Sequence, residues 1–256
     1  MKTRGKYQGT LQIVRFNWPF YVTASLLLVG TTLIAAVIPL PFFIRAPLFA
    51  GILLAGFWFV ASLVIAHYVY DRSVIYHGDW IRRALPLQPA RWANFHTGLD
   101  EFSDLIRALF PDSEGTIIDF FDPLEMTEPS IMRARRLAKN QSTPLAVDFR
   151  ALPIGDAELD AGFAFFAAHE LRKPEARREF FSELCRVLKP AGCLLLLEHL
   201  RGWPNFFAFG PGCFHFHSRR TWARAIEAGH LNIEKEFRLT PFVRAFVLQK
   251  ANAQHV

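Results

Sequence analysis

Histidine and carboxylate side chains follow several of the apolar runs that are typical of buried strands. His96 follows RWANF, His169 and Glu170 follow AGFAFFA, His199 ends CLLLLEH, and His215 and His217 lie in GPGCFHFHSRR. Neutral imidazoles together with Glu170 or Asp100 can bind a metal ion, and an imidazole can also take a proton from a substrate. A lone histidine is more often a packing residue, so either chemistry requires these side chains to meet in the fold.

The same part of the chain alternates short apolar runs with helical patterns. This alternation is typical of repeated strand–helix units and of a largely parallel sheet. The predicted strands are RWANF, GTIIDFF, PLAVDF, AGFAFFA, CLLLLEH, NIEKEFRLT and FVRAFVLQK, and the predicted helices span about 100–110, 128–140, 174–188 and 219–228. Because ligands bind at the carboxyl ends of strands in an open parallel sheet, we expect side chains that are distant in sequence to converge there.

Two long runs near the start of the chain contain no Asp, Glu, Lys or Arg. They lie between Arg15 and Arg45 and between Arg45 and Asp71. Each exceeds the roughly 20 apolar residues that cross a bilayer as a helix, and the prolines of PLPFFIRAP prevent one continuous helix. The alternative is a pair of buried core helices, but long helices in soluble proteins normally have a polar face. The pattern favours a two-helix transmembrane hairpin.

The basic residues near the two runs predict how the hairpin is oriented. Lys2, Arg4, Lys6 and Arg15 precede the first run, and Arg72, Arg82 and Arg83 follow the second, whereas Arg45 alone lies between them. By the positive-inside rule both termini face the cytoplasm, which predicts an inner-membrane protein with two spans and a cytoplasmic catalytic domain. We expect a basic segment at 1–19, the hairpin at 20–70, a membrane-surface helix and linker at 71–88, and a folded domain at 89–256.

Charge and cysteine content limit the classes of partner that the chain can have. The formal net charge is +6, but the first 20 residues hold four basic and no acidic side chains, which leaves +2 for the rest of the chain. The basic end suits anionic membrane lipids, and no basic stripe indicates a nucleic-acid partner. Cys185, Cys193 and Cys213 form no CxxC pair, so no zinc knuckle or disulfide framework is predicted. The sequence gives no oligomeric state.

A family resemblance lies in the segment from Leu152 to Leu200. It contains the LP turn of Leu152 and Pro153, the acidic residues Asp156 and Asp160, and the helix end RVLKPAG at 186–192. The segment resembles class I S-adenosylmethionine-dependent methyltransferases of the quinone and sterol methyltransferase type. The resemblance covers roughly residues 89–250 and implies a Rossmann-like, doubly wound, mostly parallel seven-stranded sheet. In RVLKPAG, Gly192 is expected to take a positive φ where the helix stops.

The resemblance also implies where S-adenosylmethionine would bind. WANFHTGLDE at 92–101 falls on the glycine-rich first loop of the family, with Gly98 retained, Asn94 replacing the usual acidic residue, and His96 and Asp100 adding side chains. Asp119 and Asp122 are alternatives for the carboxylate that holds the ribose, and Asp122 before Pro123 is equally well explained as a cap. Asp148 and Phe149 resemble the pair that contacts the adenine edge and face. Ala167, after the fourth strand, completes the implied cofactor set.

The leading hypothesis is a membrane-anchored methyltransferase that acts on a lipophilic acceptor such as a quinone, an isoprenoid or another lipid. His169, Glu170 and His199 are the candidate catalytic residues, and the aromatic segment at 200–216 is expected to cover the acceptor. Tyr70 and Asp71 in VYDRSVIY resemble a tyrosine–aspartate segment of quinone methyltransferases. Two alternatives stay open: a non-methylating enzyme that uses S-adenosylmethionine or a metal on the same fold, and an inactive membrane-bound binding protein. No metal is predicted.

Overall fold

The computed structural model describes residues 5–138 and 145–251. The chain begins with helices and continues as an α/β domain. The first four helices are α1 (Gln8–Phe16), α2 (Trp18–Val37), α3 (Phe42–His67) and α4 (Asp79–Ala84). The strands are β1 (Arg91–His96), β2 (Glu114–Asp119), β3 (Leu145–Ala146), β4 (Leu159–Phe165), β5 (Leu188–His199), β6 (Leu231–Thr240) and β7 (Val243–Lys250). The intervening helices are α5 (Ser103–Leu109), α6 (Pro129–Ala138), α7 (Pro174–Val187), α8 (Trp203–Phe209) and α9 (Arg219–Ala228).

The strands form one mostly parallel sheet in the order β3-β2-β1-β4-β5-β7-β6. Only β7 runs antiparallel to its neighbours β5 and β6, and β3 contributes just two described residues. The strand order reverses between β1 and β4, which both pair in parallel. The predicted fold class, a Rossmann-like doubly wound α/β sheet, is confirmed, and the reversal leaves a crevice at the carboxyl ends of these two strands.

Both faces of the sheet are covered because its central strands are apolar on both sides. Ala164 and Leu196 join the core under α7 and α9, while Phe163 and Leu195 join the core under α4 and α5. Strands that are buried on both faces of a parallel sheet have nearly continuous apolar sequences. The function of the sheet is to bring the ends of β1, β2, β4 and β5 to one edge.

The turn RVLKPAG differs from its expected geometry. Gly192 is not among the residues with positive φ in the described chain. A Cβ on Gly192 would instead meet the backbone oxygen of Leu159 at 2.7 Å. The glycine is therefore required by the close approach of β4 and β5, and the expectation of a left-handed helix stop was wrong.

The helices α2 and α3 form an antiparallel pair of apolar helices. The segments Trp18–Val37 and Phe42–Tyr76 are long and apolar enough to cross a membrane by length and composition. Their large side chains point outward, as Phe42 and Leu53 are 84% and 72% exposed. After α3 the helix widens into a five-residue π-helical turn, Tyr68–Arg72, and a tighter 3₁₀ turn, Val74–Tyr76, follows.

The N-terminal segment and the linker both pack against other parts of the chain. The basic segment contains an amphipathic helix, α1, whose first turn is held by Asp71: its carboxylate accepts bonds from the backbone N–H groups of Gly9 and Thr10 at 2.6 and 3.0 Å. The expected membrane-surface helix is α4, but its Trp80 and Ile81 are buried on the sheet rather than turned outward.

Candidate functional site

The crevice has one side at the ends of β1 and β2. His96 and Asp119 are register partners at these two strand ends. Gly98 follows with φ +124°, and a Cβ there would collide with the side chain of Arg135. Since a left-handed backbone without a Cβ allows close approach of another group, this position is a cradle of the kind the predicted cofactor requires.

Arg135, from α6, lies in that cradle. Its guanidinium donates to both carboxylate oxygens of Asp119 at 2.9 and 2.7 Å and to the carbonyl of Thr97 at 2.9 Å. It also stacks over the ring of Phe121 at 4.1 Å. Asp119 is nearly buried, so this pair is a partly desolvated ion pair of the stronger kind.

The loop residues around the cradle have mixed roles. Asn94 donates to Asp100 and Ser103, and Asp100 in turn accepts the backbone N–H groups of Phe102 and Ser103 at the start of α5. Both residues therefore hold the loop in shape through hydrogen bonds. Asp100 is used in these bonds and is not part of the histidine cluster that could bind a metal. His96 accepts from Gly98 N–H through Nδ1, and its buried Nε2 has no hydrogen-bond partner among the described residues. Burial lowers the pKa of His96.

The predicted adenine and alternative ribose residues lie further out. Asp122 accepts from the N–H of Leu124 and pairs with Arg150, so its observed role is to cap a turn. Asp148 is exposed and accepts from the N–H of Arg150. Phe149 is fully buried in the core, with the Arg150 guanidinium 4.0 Å above its ring. Ala167 is also buried.

The residues at the ends of β1 and β2 fit S-adenosylmethionine on one condition. Gly98 provides a backbone without a side chain, Asp119 a carboxylate for two hydroxyl groups, and His96 an unsatisfied N–H. The condition is that Arg135 leaves the cradle, because its guanidinium occupies the same space and the same carboxylate.

The other side of the crevice lies at the ends of β4 and β5. Phe166 takes φ +51° directly after β4, and the chain then forms a 3₁₀ turn, Ala168–Glu170. A bulky residue in the left-handed region is strained, and such strain is concentrated at functional sites. The turn aims His169 at Glu198, the penultimate residue of β5: Nδ1 lies 2.8 Å from one carboxylate oxygen.

His169 lies between two buried carboxylates. Glu198 also accepts its backbone N–H at 3.2 Å, and Nε2 lies 3.5 Å from Glu170. Burial alone would lower the pKa of His169, but the charges of Glu198 and Glu170 outweigh it and raise the pKa to about 10. The ring of His215 is 5.4 Å away, and burial together with the positive charge of His169 lowers its pKa to about 4.

His199 is held in a defined tautomer at the end of β5. Its Nδ1 lies 3.0 Å from the carbonyl of Phe242, which can only accept, so Nδ1 carries the proton. Nε2 therefore accepts, and the hydroxyl of Tyr70 donates to it at 2.7 Å. Burial lowers the pKa of His199 to about 3, and its ring stacks on Phe216.

The structure therefore brings three of the five predicted histidines to one end of the crevice. His169, His215 and His199 gather at the ends of β4 and β5, whereas His96 lies at the cradle and His217 bonds to the Arg177 guanidinium. Sequence reasoning missed Glu198 and Arg135. Glu198 carried a signal, because an acidic residue inside the apolar run CLLLLEH must find a buried partner.

Comparison with known proteins identifies the domain. Residues 123–196 match the family model described as "Methyltransferase domain". The match covers 74 of the 256 residues, so the family similarity applies to this segment of the chain. The matched residues run from the turn after β2 into β5 and include His169 and Glu170, so the predicted resemblance and the S-adenosylmethionine-dependent enzyme class are confirmed at the level of the domain. A comparison with curated protein sequences gave no match.

Solved structures share the fold of the methyltransferase domain. Human N-acetylserotonin methyltransferase, in complex with S-adenosylmethionine, superposes with a TM-score of 0.56 at 12% identity and covers 95% of this chain and 71% of its own. Geranyl diphosphate C-methyltransferase from Streptomyces coelicolor A3(2) gives 0.52 at 14%, covering 74% and 83%. The [4+2]-cyclase SpnF gives 0.51 at 15%, covering 71% and 82%. At these identities the likeness establishes the fold.

Proposed function

We propose that this chain is a membrane-anchored S-adenosylmethionine-dependent methyltransferase whose acceptor is a lipophilic or membrane-associated molecule. The anchor is the pair α2 and α3. Its outward side chains are apolar over a full bilayer thickness, and exposing such a surface to water would be strongly unfavourable. With basic residues at both ends of the pair, both termini and the methyltransferase domain face the cytoplasm at the inner membrane.

An apolar groove supports the lipophilic acceptor. It has a volume of about 990 Å³ and lies between α2, α3, α8 and the turn that joins β6 to β7. Gly56, Val60, Phe207 and Phe242 are among the residues that line it. Because the carbonyl of Phe242 also accepts from His199, one residue contributes both to the groove and to the support of His199 at the end of β5.

The hydrogen bond between Tyr70 and His199 is the observation that carries the proposal. Tyr70 lies in the π-helical turn Tyr68–Arg72 that follows α3, and His199 ends β5. The segment directly after the anchor therefore supplies a polar group to the acceptor side of the crevice. An anchor that served only to hold the domain at the membrane would not require this contact. We therefore assign the hairpin to the wall of the acceptor site as well as to membrane attachment.

The residues at the crevice have different proposed roles. S-adenosylmethionine, when bound, supplies an electrophilic methyl group. Gly98 and Asp119 would hold it, with His96 beside them, while Tyr70 and His199 orient a polar atom of the acceptor, and His169 with Glu170 provides a second polar contact. Since methyl transfer is an in-line displacement, positioning of this kind accounts for most of the catalysis.

Aromatic side chains close the acceptor side. Phe206 of α8 packs edge-on against Trp58 of α3 at 5.5 Å, and Gly210 lies directly against the same indole. Trp203, Phe207 and Phe214 are exposed. The segment between β5 and α9 thus fits the expected cover, with an outer apolar surface suited to the bilayer interface.

A second candidate is an inactive membrane-bound binding protein on the same fold. The observation that favours it is the ion pair between Arg135 and Asp119, which fills the cofactor cradle. The two candidates differ in whether the folded protein binds S-adenosylmethionine and transfers its methyl group.

The proposed function is tested with full-length protein in three steps. Alkaline carbonate should leave the chain in the membrane fraction, and calorimetric titration with S-adenosylhomocysteine should give saturable binding. Radiolabelled S-adenosylmethionine should then label a component of extracted membrane lipids. Extraction by carbonate refutes the anchor, absence of binding refutes the enzyme, and label confined to water-soluble acceptors refutes the lipophilic acceptor.

A matched pair of glycine variants tests the groove. Gly56 and Gly30 both lie on the apolar helices with open space around a new Cβ, but only Gly56 is among the groove residues. Gly56→Leu should raise the KM for the lipid acceptor several-fold, since the added side chain fills groove volume, while Gly30→Leu should leave it unchanged. Equal kinetics in the two variants would exclude the groove as the acceptor route.

A further inference from the structure

Three side chains at the end of β4 have the arrangement of a metal centre. His169, Glu170 and His215 each offer a ligand atom, and these atoms lie within 4.8 Å of one another. Two of the residues belong to the 3₁₀ turn after β4, and His215 ends the 3₁₀ turn Gly210–His215 after α8. Two imidazoles and one carboxylate form a donor set that suits a divalent first-row transition metal better than magnesium or calcium.

An unsatisfied atom points to a missing ligand at this cluster. Only 7% of the surface of Glu170 is exposed, and its Oε2 has no hydrogen-bond partner among the described residues. A buried carboxylate oxygen without a donor is unfavourable relative to one that is paired. A cation between Glu170 and the two imidazoles would satisfy this oxygen.

Carboxylates behind the imidazoles provide a second, independent indication. His169 Nδ1 bonds to Glu198 at 2.8 Å, which leaves Nε2 facing Glu170. His215 Nδ1 lies 3.7 Å from Glu128, on the side away from metal binding if Nε2 is the ligand. Metal-bound histidines commonly give their other ring nitrogen to a carboxylate, which fixes the ring and increases its basicity.

Arg172 braces the cluster through the backbone. Its guanidinium donates to the carbonyl of His169 at 3.3 Å and to the carbonyl of His215 at 2.6 Å. The two segments that carry the imidazoles are therefore held at a fixed separation by contacts that leave both rings available. Such support of ligand-bearing segments is what a site for a specific ion requires.

From these contacts we propose that His169, Glu170 and His215 bind a divalent transition-metal ion of the zinc type. The ion takes the place of the proton on Nε2 of His169, because a ligating imidazole nitrogen must be unprotonated. Three protein ligands leave at least one coordination position open, as in catalytic rather than structural zinc sites. An open position of this kind would suit an oxygen atom of a small molecule. The site extends beyond the proposed methyl transfer and does not depend on it, since metal binding is measurable without any turnover.

The test is a Co²⁺ titration of full-length protein that has been stripped of metal by a chelator. Co²⁺ reports its ligands through visible absorption bands, and Zn²⁺ should displace it. We expect one equivalent of Co²⁺ per chain. Glu170→Gln and His215→Gln should each lower the affinity about tenfold or more, and Glu198→Gln, which keeps all three ligands, should lower it by about tenfold through the outer carboxylate.

The matched control is His77→Gln, because His77 is an exposed histidine outside the cluster. It should bind Co²⁺ like the wild-type protein, and circular dichroism should show that each variant is folded. The proposal is overturned if folded wild-type protein binds neither Co²⁺ nor Zn²⁺ stoichiometrically. It is also overturned if the folded Glu170 and His215 variants bind as tightly as His77→Gln.

Discussion

The hydroxyl of Tyr70 lies 2.7 Å from Nε2 of His199 and donates to it. The bond joins the π-helical turn after α3 to the end of β5, over 129 residues of sequence. Its direction is set by Phe242, whose carbonyl accepts from Nδ1 of the same ring. The ring is neutral because burial lowers its pKa to about 3, so it orients the tyrosine hydroxyl rather than repelling a cationic methyl donor.

Replacement of Tyr70 by Phe tests whether this hydroxyl contributes to the reaction. We expect kcat for methyl transfer to fall about 100-fold, the range for loss of a positioned proton donor or acceptor, with unchanged affinity for S-adenosylhomocysteine. Tyr68→Phe is the control, since Tyr68 is exposed and contacts Phe242 only through its ring. Equal kcat values for the two variants would limit Tyr70 to a structural role.

The sequence predicted the fold well because the fold depends on local patterns. The charge-free runs became α2 and α3, and the helix predicted at 219–228 is α9 with the same bounds. These patterns reflect burial and helical periodicity, which each segment expresses alone. The linker was less predictable, because whether Trp80 faces lipid or the sheet depends on tertiary packing.

The candidate site was predictable in its location but not in its contacts. The sequence predicts His169 and His199 at the ends of neighbouring strands, and in the structure both lie on one side of the crevice. The partners of these residues are set by side-chain geometry across distant segments: Tyr70 reaches His199 from the hairpin, and Arg135 folds back onto Asp119. No spacing in the sequence encodes either contact. The last two residues of the helix predicted at 128–140, residues 139 and 140, lie outside the described residues.

Arg186, the first residue of RVLKPAG, makes the stability of the domain depend on pH. It bonds to Glu183 at 2.7 Å and to the carbonyls of Ile154 and Leu152. The Arg186 guanidinium holds the pKa of Glu183 below its usual value. A carboxyl group with a lowered folded-state pKa stabilises the protein fully above its unfolded pKa, and this contribution is lost as the pH falls through the folded value.

Replacement of Glu183 by Gln should therefore reduce the free energy of unfolding by about 1 kcal/mol at pH 7. The difference from wild type should begin to shrink below about pH 4.3, the usual pKa of a glutamate in an unfolded chain, because the unfolded wild-type protein then takes up the proton first. Thermal unfolding followed by circular dichroism at pH 7 and pH 3.5 measures both values, with the exposed Glu227→Gln as control. A difference independent of pH would mean that the ion pair is not its source.

Asp119 and Asp122 differ in what they can offer to the cofactor. Asp119 lies at the strand end beside the cradle, whereas Asp122 caps a turn and pairs with Arg150. We expect Asp119→Asn to weaken S-adenosylhomocysteine binding about 10- to 100-fold, the range for a lost charge-assisted hydrogen bond, and Asp122→Asn to change it little. Calorimetry measures both. A larger loss in Asp122→Asn would reassign the ribose contact.

Arg135 is the residue that the cofactor must displace. Its replacement by Ala opens the space beside Gly98 and frees the carboxylate of Asp119. Binding no longer has to break the ion pair, so S-adenosylhomocysteine affinity should rise about tenfold, which corresponds to ~1.4 kcal/mol. Arg136→Ala is the control, because Arg136 is exposed on the same helix.

The opposite result would change the interpretation of the cradle. If Arg135→Ala binds S-adenosylhomocysteine more weakly than Arg136→Ala, the guanidinium holds the carboxylate of the methionine moiety rather than blocking the site. The double variant Asp119→Asn/Arg135→Ala separates the two cases. When Arg135 is only an obstacle, the loss caused by Asp119→Asn persists in its absence; when Arg135 is a ligand, the two losses combine and binding falls below that of either single variant.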